Sequence, residues 1–203
     1  CEKISADWHE IMPALRLDSR IGKNAYIKPG LGISGGNIER DIESLQKILQ
    51  DHKQPYSFLK NFKKNSIYMK SWVYRVLKKE KILSNKNKFK IGILGLAYKQ
   101  NTNSVKNSPT LHLLKKIKNK KIVVYDPAAR LNKQKKFLTQ TYDINLLFKI
   151  SNVIIIMTPW NEFKNIENFL KNHNKKIILI DPYRLVNFNK IKNKSLKYFT
   201  IGK

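Results

Sequence analysis

Cysteine is almost absent from this chain: Cys1 is the only one in 203 residues. A single thiol excludes a disulfide framework and any multi-cysteine metal site, and it suits a reducing compartment. Acidic residues are scarce as well, 14 Asp and Glu against 41 Lys and Arg. With four scattered histidines, no spacing of His, Asp or Glu suggests a bound metal. Long apolar runs are missing: no stretch reaches the roughly 18 residues of a membrane span, and no secretory signal opens the chain. A cytoplasmic protein without a membrane partner is expected. The first residues, Cys-Glu-Lys-Ile-Ser, lack a Met and look like the end of a helix, so the chain is expected to be a piece of a longer protein.

The charge is one-sided, +27 at neutral pH. Such a balance attracts polyanions. Only six of the 41 cations are Arg, however, and Arg is the bidentate reader of phosphate and base edges. No aromatic RNA-binding motif or zinc-finger spacing accompanies the lysines. Lys, Asn and Ile together describe a biased composition on a solvated surface, and nucleic acid is not an expected partner.

Apolar periodicity divides the chain in two. Residues 1–85 read as mostly helical: Trp8–Leu17 with Pro13 as a possible break, a resumption from Asn37 to Gln50, and one long amphipathic helix over 55–83. The polar stretch Ser84–Lys88 reads as a linker. From Phe89 the rhythm alternates. Strands are expected at Lys90–Gly95, Lys121–Tyr125, Val153–Met157 and Lys176–Ile180, with an edge strand at Tyr198–Ile201. Helices fall between them, one opened by Ser108 as N-cap and Pro109 at the first helical position, the others at Asp143–Ile150 and Phe163–Leu170. The order implies an α/β fold with a parallel sheet covered on both faces, whose ligands sit at the carboxyl ends of the strands.

Two loops concentrate the unusual residues. In 29–36, Gly30, Gly32, Gly35 and Gly36 supply half of the chain's eight glycines. They let backbone approach a ligand, and a helix start follows. The loop after the first strand, 95–109, lacks a Gly-x-Gly-x-x-Gly fingerprint but places Lys99 and Lys106 at the sheet edge. Asp126 and Asp181 each end a strand before Pro; each is a ribose partner or simply a turn former.

In combination, Asp18-Ser19-Arg20-Ile21-Gly22, Pro29-Gly30-x-Gly32-x-x-Gly35, Asp41, and Gly92-Ile93-Leu94-Gly95-Leu96-Ala97-Tyr98-Lys99 with Ser108-Pro109 resemble the UDP-glucose/GDP-mannose dehydrogenase family. Tyr125-Asp126-Pro127, Trp160 and Phe163 fit the same pattern. The resemblance implies that 1–85 is a truncated central domain, carrying the active-site loop and a homodimer helix at 55–83. It implies that 86–203 is a Rossmann-like domain holding the nucleotide of a nucleotide sugar. It implies NAD-dependent oxidation of a C6 alcohol toward a uronate for polysaccharide precursors, with NAD bound mainly by an N-terminal domain that is not in this sequence. Carried over residue by residue, Asp41 would handle water and protons. Arg20 and Lys99, with Gly30, Gly32 and Gly35, would meet the substrate, and Lys106 would stand where an Arg reaches the cofactor. The nucleophilic Cys of the pattern is replaced by Asn37, and an amide cannot form the thioester of the double oxidation. Oxidation to the aldehyde, double oxidation through its hydrate, and no oxidation all stay open. So does a non-catalytic nucleotide-sugar-binding relative that dimerises or regulates.

Overall fold

The computed structural model describes all residues except 85–88, 118–119, 135, 172–175, 192 and 194. Apart from Ser84, the expected linker lies outside the described residues. Four helices come first: α1 (Trp8–Leu17), α2 (Asn37–Asp51), α3 (Ser57–Lys70) and α4 (Trp72–Lys79). A six-stranded sheet follows, built from β1 (Ile91–Leu94), β2 (Ile122–Tyr125), β3 (Leu138–Gln140), β4 (Val153–Ile156), β5 (Ile177–Ile180) and β6 (Leu196–Phe199). The order is β3-β2-β1-β4-β5-β6, and all five pairings are parallel. The direction of travel reverses between β1 and β4, which is where a doubly wound sheet opens its ligand crevice. Helices α5 (Pro109–Lys116), α6 (Ile144–Ile150) and α7 (Glu167–Lys171) connect the strands.

Every residue of β1 and β4 is buried, which explains why both read as unbroken apolar runs. Ser108 caps α5 as expected, accepting the Thr110 N–H with Pro109 in the first turn. Asp143 caps α6 in the same way. Pro13 lies within α1 without breaking it, and Met12 beside it is buried.

Several expectations need correction. Cys1–Ala6 forms turns rather than a helix end, with Ser5 at φ 54°. The single helix over 55–83 is two helices that meet at Ser71. There the Ser71 hydroxyl and N–H share the Ile67 carbonyl, and the Arg75 guanidinium shares the Tyr68 carbonyl with the Ser71 N–H, so side chains compete for the last carbonyls of α3. Phe163–Leu170 is a 3-10 turn (Asn161–Asn165) followed by the short α7. The edge strand is Leu196–Phe199 rather than 198–201, and β3, the opposite edge, has no counterpart among the expected strands.

The two ends of the chain are clasped. Arg184 makes a bidentate pair with Asp7, at 2.8 and 2.9 Å, with both side chains mostly buried. The Trp8 N–H bonds to the Gly202 carbonyl, and the Glu2 carboxylate accepts from Trp72 and Gly202. The guanidinium holds the Asp7 carboxyl below its ordinary value. A group lowered in the folded state stabilises above its unfolded pKa and loses that contribution as the pH falls through the folded one. Thermal melts should therefore show Asp7→Asn less stable by about 1 kcal/mol at neutral pH. The difference from wild type should begin to shrink near about pH 4 and be gone once the pH drops below the folded value.

Candidate functional site

The glycine loop is pinned from two sides. Ile33 N–H donates to the Ser66 hydroxyl of α3 at 2.9 Å, and Gly35 N–H donates to the Lys106 carbonyl at 3.2 Å. The Ser34 hydroxyl reaches the Tyr98 carbonyl at 3.3 Å, and the Asn107 amide donates to the Ile33 carbonyl at 3.4 Å. Gly32 has φ +79°, and a methyl group there would sit 2.5 Å from the Ser66 carbonyl oxygen. Glycine is required at this point by both conformation and space.

Behind the loop, Lys70 is 4% exposed. Its ammonium bonds Asn107 Oδ1 at 2.5 Å and Glu39 Oε1 at 3.2 Å. One buried cation thus ties α3 to the start of α2 and to the loop before α5. The pairing with a carboxylate and an amide is what makes burial of that charge tolerable.

These contacts leave a cleft of about 680 Å³ between the glycine loop, α3 and the loop after β1. Of the expected site residues, Gly30, Gly32 and Lys99 line it. Gly35 lies underneath, buried against the Tyr98 ring. Lys106 flanks it, with its ammonium over Gly36 at the entry to α2: a methyl on Gly36 would be 2.7 Å from Nζ. Asn37 is the first residue of α2 and lies outside the cleft lining. Asp41 lies a turn further along, paired with Arg40 at 3.1 Å, with both side chains largely in solvent. Arg20 is not brought to the cleft: its side chain is 87% exposed and is held by Asp18 at 2.6 Å.

The cleft also has walls that the motifs do not announce. Lys28 and Tyr26 precede the glycine loop, Asn65 and Phe62 come from α3, and Tyr183 comes from the turn after β5. Lys28 has a signal in sequence, a cation immediately before Pro29-Gly30. Tyr183 has none, because only the fold brings it there. Its hydroxyl donates to the Met157 carbonyl, and burial holds the phenol in its neutral form. The lining includes two cations and three tyrosines but no carboxylate, imidazole or thiol. Such a surface can hold an anion and a flat ring; it supplies no general base.

Of the two readings open for the strand-end acids, the turn former is the one their bonds match. Asp126 is 2% exposed and accepts from the N–H groups of Leu96, Ala97, Ala128 and Ala129, at 2.6 to 2.9 Å, and from Trp160 Nε1. Asp181 is fully buried and accepts from Tyr183, Val186 and the Tyr198 hydroxyl. Burial raises the Asp181 carboxyl above its ordinary value, against the backbone N–H bonds that pull it down. With the acid after β2 fully committed and no glycine fingerprint after β1, this sheet does not fit NAD at the usual dinucleotide position.

Residues 1–66 match the central domain of the UDP-glucose/GDP-mannose dehydrogenase family, and residues 92–188 match that family's UDP-binding domain. The chain is 29% identical to the UDP-glucose 6-dehydrogenase of Rickettsia prowazekii over 216 residues, covering all of this chain and 48% of that protein. It is 26% identical to UDP-glucose 6-dehydrogenase TuaD of Bacillus subtilis, covering all of this chain and 45% of that protein. The chain thus spans about half the length of the curated relatives it matches. A UDP-glucose dehydrogenase structure from Pyrobaculum islandicum superposes with a TM-score of 0.76 at 21% identity, over 98% of this chain and 44% of that one. The NDP-N-acetyl-D-galactosaminuronic acid dehydrogenase of Methanosarcina mazei reaches 0.79 at 14% identity, over 100% of this chain and 45% of that one. At these identities the two superpositions speak to the fold alone.

Replacing Gly32 by Ala should cost about 1–3 kcal/mol in a denaturant melt, because the Ser66 carbonyl cannot move without unwinding α3. An unchanged midpoint would mean that the loop has room to shift.

Proposed function

The chain belongs to the UDP-glucose/GDP-mannose dehydrogenase family, and from that premise we propose that its large cleft binds a nucleotide sugar for oxidation at C6 by the whole protein. The observation that carries the reading is convergence. Lys28 and Lys99, far apart in sequence, line one cleft with Tyr26, Tyr98 and Phe62. Ammonium groups meet a diphosphate, and aromatic faces meet a base. The N–H groups of Ile33 and Gly35 are already bonded within the protein, so the phosphate charge falls to the lysines. The glycines contribute close backbone approach instead.

NAD, proposed as the hydride acceptor of the whole protein, supplies the redox chemistry; no step is assigned to it in this sheet. Lys106 and Asn37 flank the cleft, and Asn37 has an amide that can donate a hydrogen bond but cannot attack a carbonyl carbon. That amide specifically favours a second reading, a nucleotide-sugar-binding relative without oxidation. Lys99→Ala and Lys28→Ala should each weaken UDP-glucose binding by roughly tenfold in calorimetric titrations, more at low salt than at high. Equal affinity in both variants would remove the cleft from consideration. NADH formed per UDP-glucose consumed by the full-length protein separates oxidation from binding alone.

A homodimer is also proposed, through α2 and the α3 part of the 55–83 segment read from sequence. In the 55–83 segment, Trp72, Val73 and Leu77 are buried in this chain's own core and are unavailable to a partner. Helices α2 and α3 carry exposed apolar side chains, among them Leu45, Ile48, Phe58, Ile67 and Tyr68, each 43–56% exposed. Exposed apolar side chains gathered on two neighbouring helices favour association. Ile48→Lys should shift sedimentation from dimer to monomer, and a wild-type chain that sediments as a monomer at micromolar concentration would refute the assignment.

A further inference from the structure

The crossover from β2 to β3 carries no helix among its described residues. Residues 126–134 and 136–137 run as turns and coil where a doubly wound fold places a helix. A groove of about 460 Å³ occupies the space. Its walls are Leu111 and Leu114 of the α5 segment, Leu131 and Phe137 of the crossover, Leu138 of β3, and Leu96 with Val105 of the loop after β1. The remaining lining residues are Lys115, Arg130, Lys133 and Asn132: three cations and no acid.

The mouth is built rather than loose. Arg130 Nη1 donates to the carbonyls of Asp126 and Ala129, at 3.1 and 3.0 Å, and its guanidinium lies 4.8 Å from the Tyr142 ring centre. Gln140 holds the same turn from β3, accepting the Leu131 N–H at 2.8 Å and donating to the Ala129 carbonyl at 2.9 Å. An apolar slot of small-molecule size with a fixed cation at its rim is the pattern of a ligand site rather than of a packing defect.

We infer that this groove is a second ligand site, separate from the nucleotide-sugar cleft, for a small organic anion with an apolar or aromatic body. The body lies along Leu111, Leu114, Leu131 and Phe137, and the anionic group meets Arg130 and Lys133. Two sources share that chemistry: a nucleoside monophosphate and an aliphatic carboxylate. The loop between β1 and α5 connects the two sites, since Leu96 and Val105 line the groove while Tyr98 and Lys99 line the cleft. The inference does not depend on the cleft's proposed substrate.

The test is a titration of the whole chain with the fluorescent probe anilinonaphthalene sulfonate, in saturating UDP-glucose, followed by displacement with adenosine monophosphate or decanoate. Binding is expected, with displacement by one of the two naming the source. Arg130→Glu, at the rim, and Leu114→Trp, which fills the groove, should each weaken displaceable binding about tenfold. Lys190→Ala, exposed before β6 at the far edge of the sheet, should leave it unchanged. Binding that ignores Arg130→Glu, that is abolished by UDP-glucose, or that neither anion displaces overturns the assignment. Lys99→Ala distinguishes the two sites: it should lose UDP-glucose affinity while the probe still occupies the groove, and loss of both together would overturn their separation.

Discussion

One buried carboxylate organises the carboxyl edge of the sheet. Asp126 collects four backbone N–H groups, two from the turn after β1 and two from the turn after β2, together with the indole of Trp160 beyond β4. A carboxylate at 2% exposure is sustained only by such a set of donors. Its bonds fix the departure of the loop that carries Tyr98, Lys99 and Lys106, and the departure of the turn that carries Arg130. Both the cleft and the groove therefore inherit their geometry from the same two oxygen atoms. Asp181 repeats the device after β5, where it sets the turn that brings Tyr183 to the cleft and Arg184 to Asp7.

The cleft is assembled between the helical segment and the sheet rather than within either. Gly32 touches α3, Gly35 touches Tyr98, and Lys70 joins α3, α2 and Asn107. Binding at such a junction can couple the two parts, because an anion held by Lys28 on one side and Lys99 on the other adds a contact across it. The lining holds no base, acid or thiol, which separates holding from reacting. The proposed oxidation at C6 would draw its reactive groups from beyond these walls, and Asn37 at the head of α2 offers polarity without nucleophilicity.

The strands legible in sequence are the four inside the sheet, two of them fully buried. Ile91–Leu94 and Val153–Ile156 face apolar neighbours on both sides, so their composition alone announces them. Leu138–Gln140 is three residues long at a partly exposed edge, and no pattern of that length stands out. The break at Ser71 is hidden because the apolar spacing runs through it. What ends the helix is a competition for carbonyls, which periodicity does not record. Asp126 and Asp181 are visible as acids at strand ends, yet their alternatives separate only when the donors around them have positions. The glycine loop and Lys99 are legible as motifs. Tyr26 and Tyr183 are not, since each acquires meaning from its neighbours in space.

The clasp between Asp7 and Arg184, with Trp8 against Gly202, spans nearly the entire sequence. On a ribosome Asp7 and Trp8 must wait for Arg184 and Gly202 to emerge before they find these partners. The other side-chain bonds of α1, from Trp8 to Ile27 and from Arg16 to Ala25, become available far earlier. The segment before α1 is thus secured long after it is made.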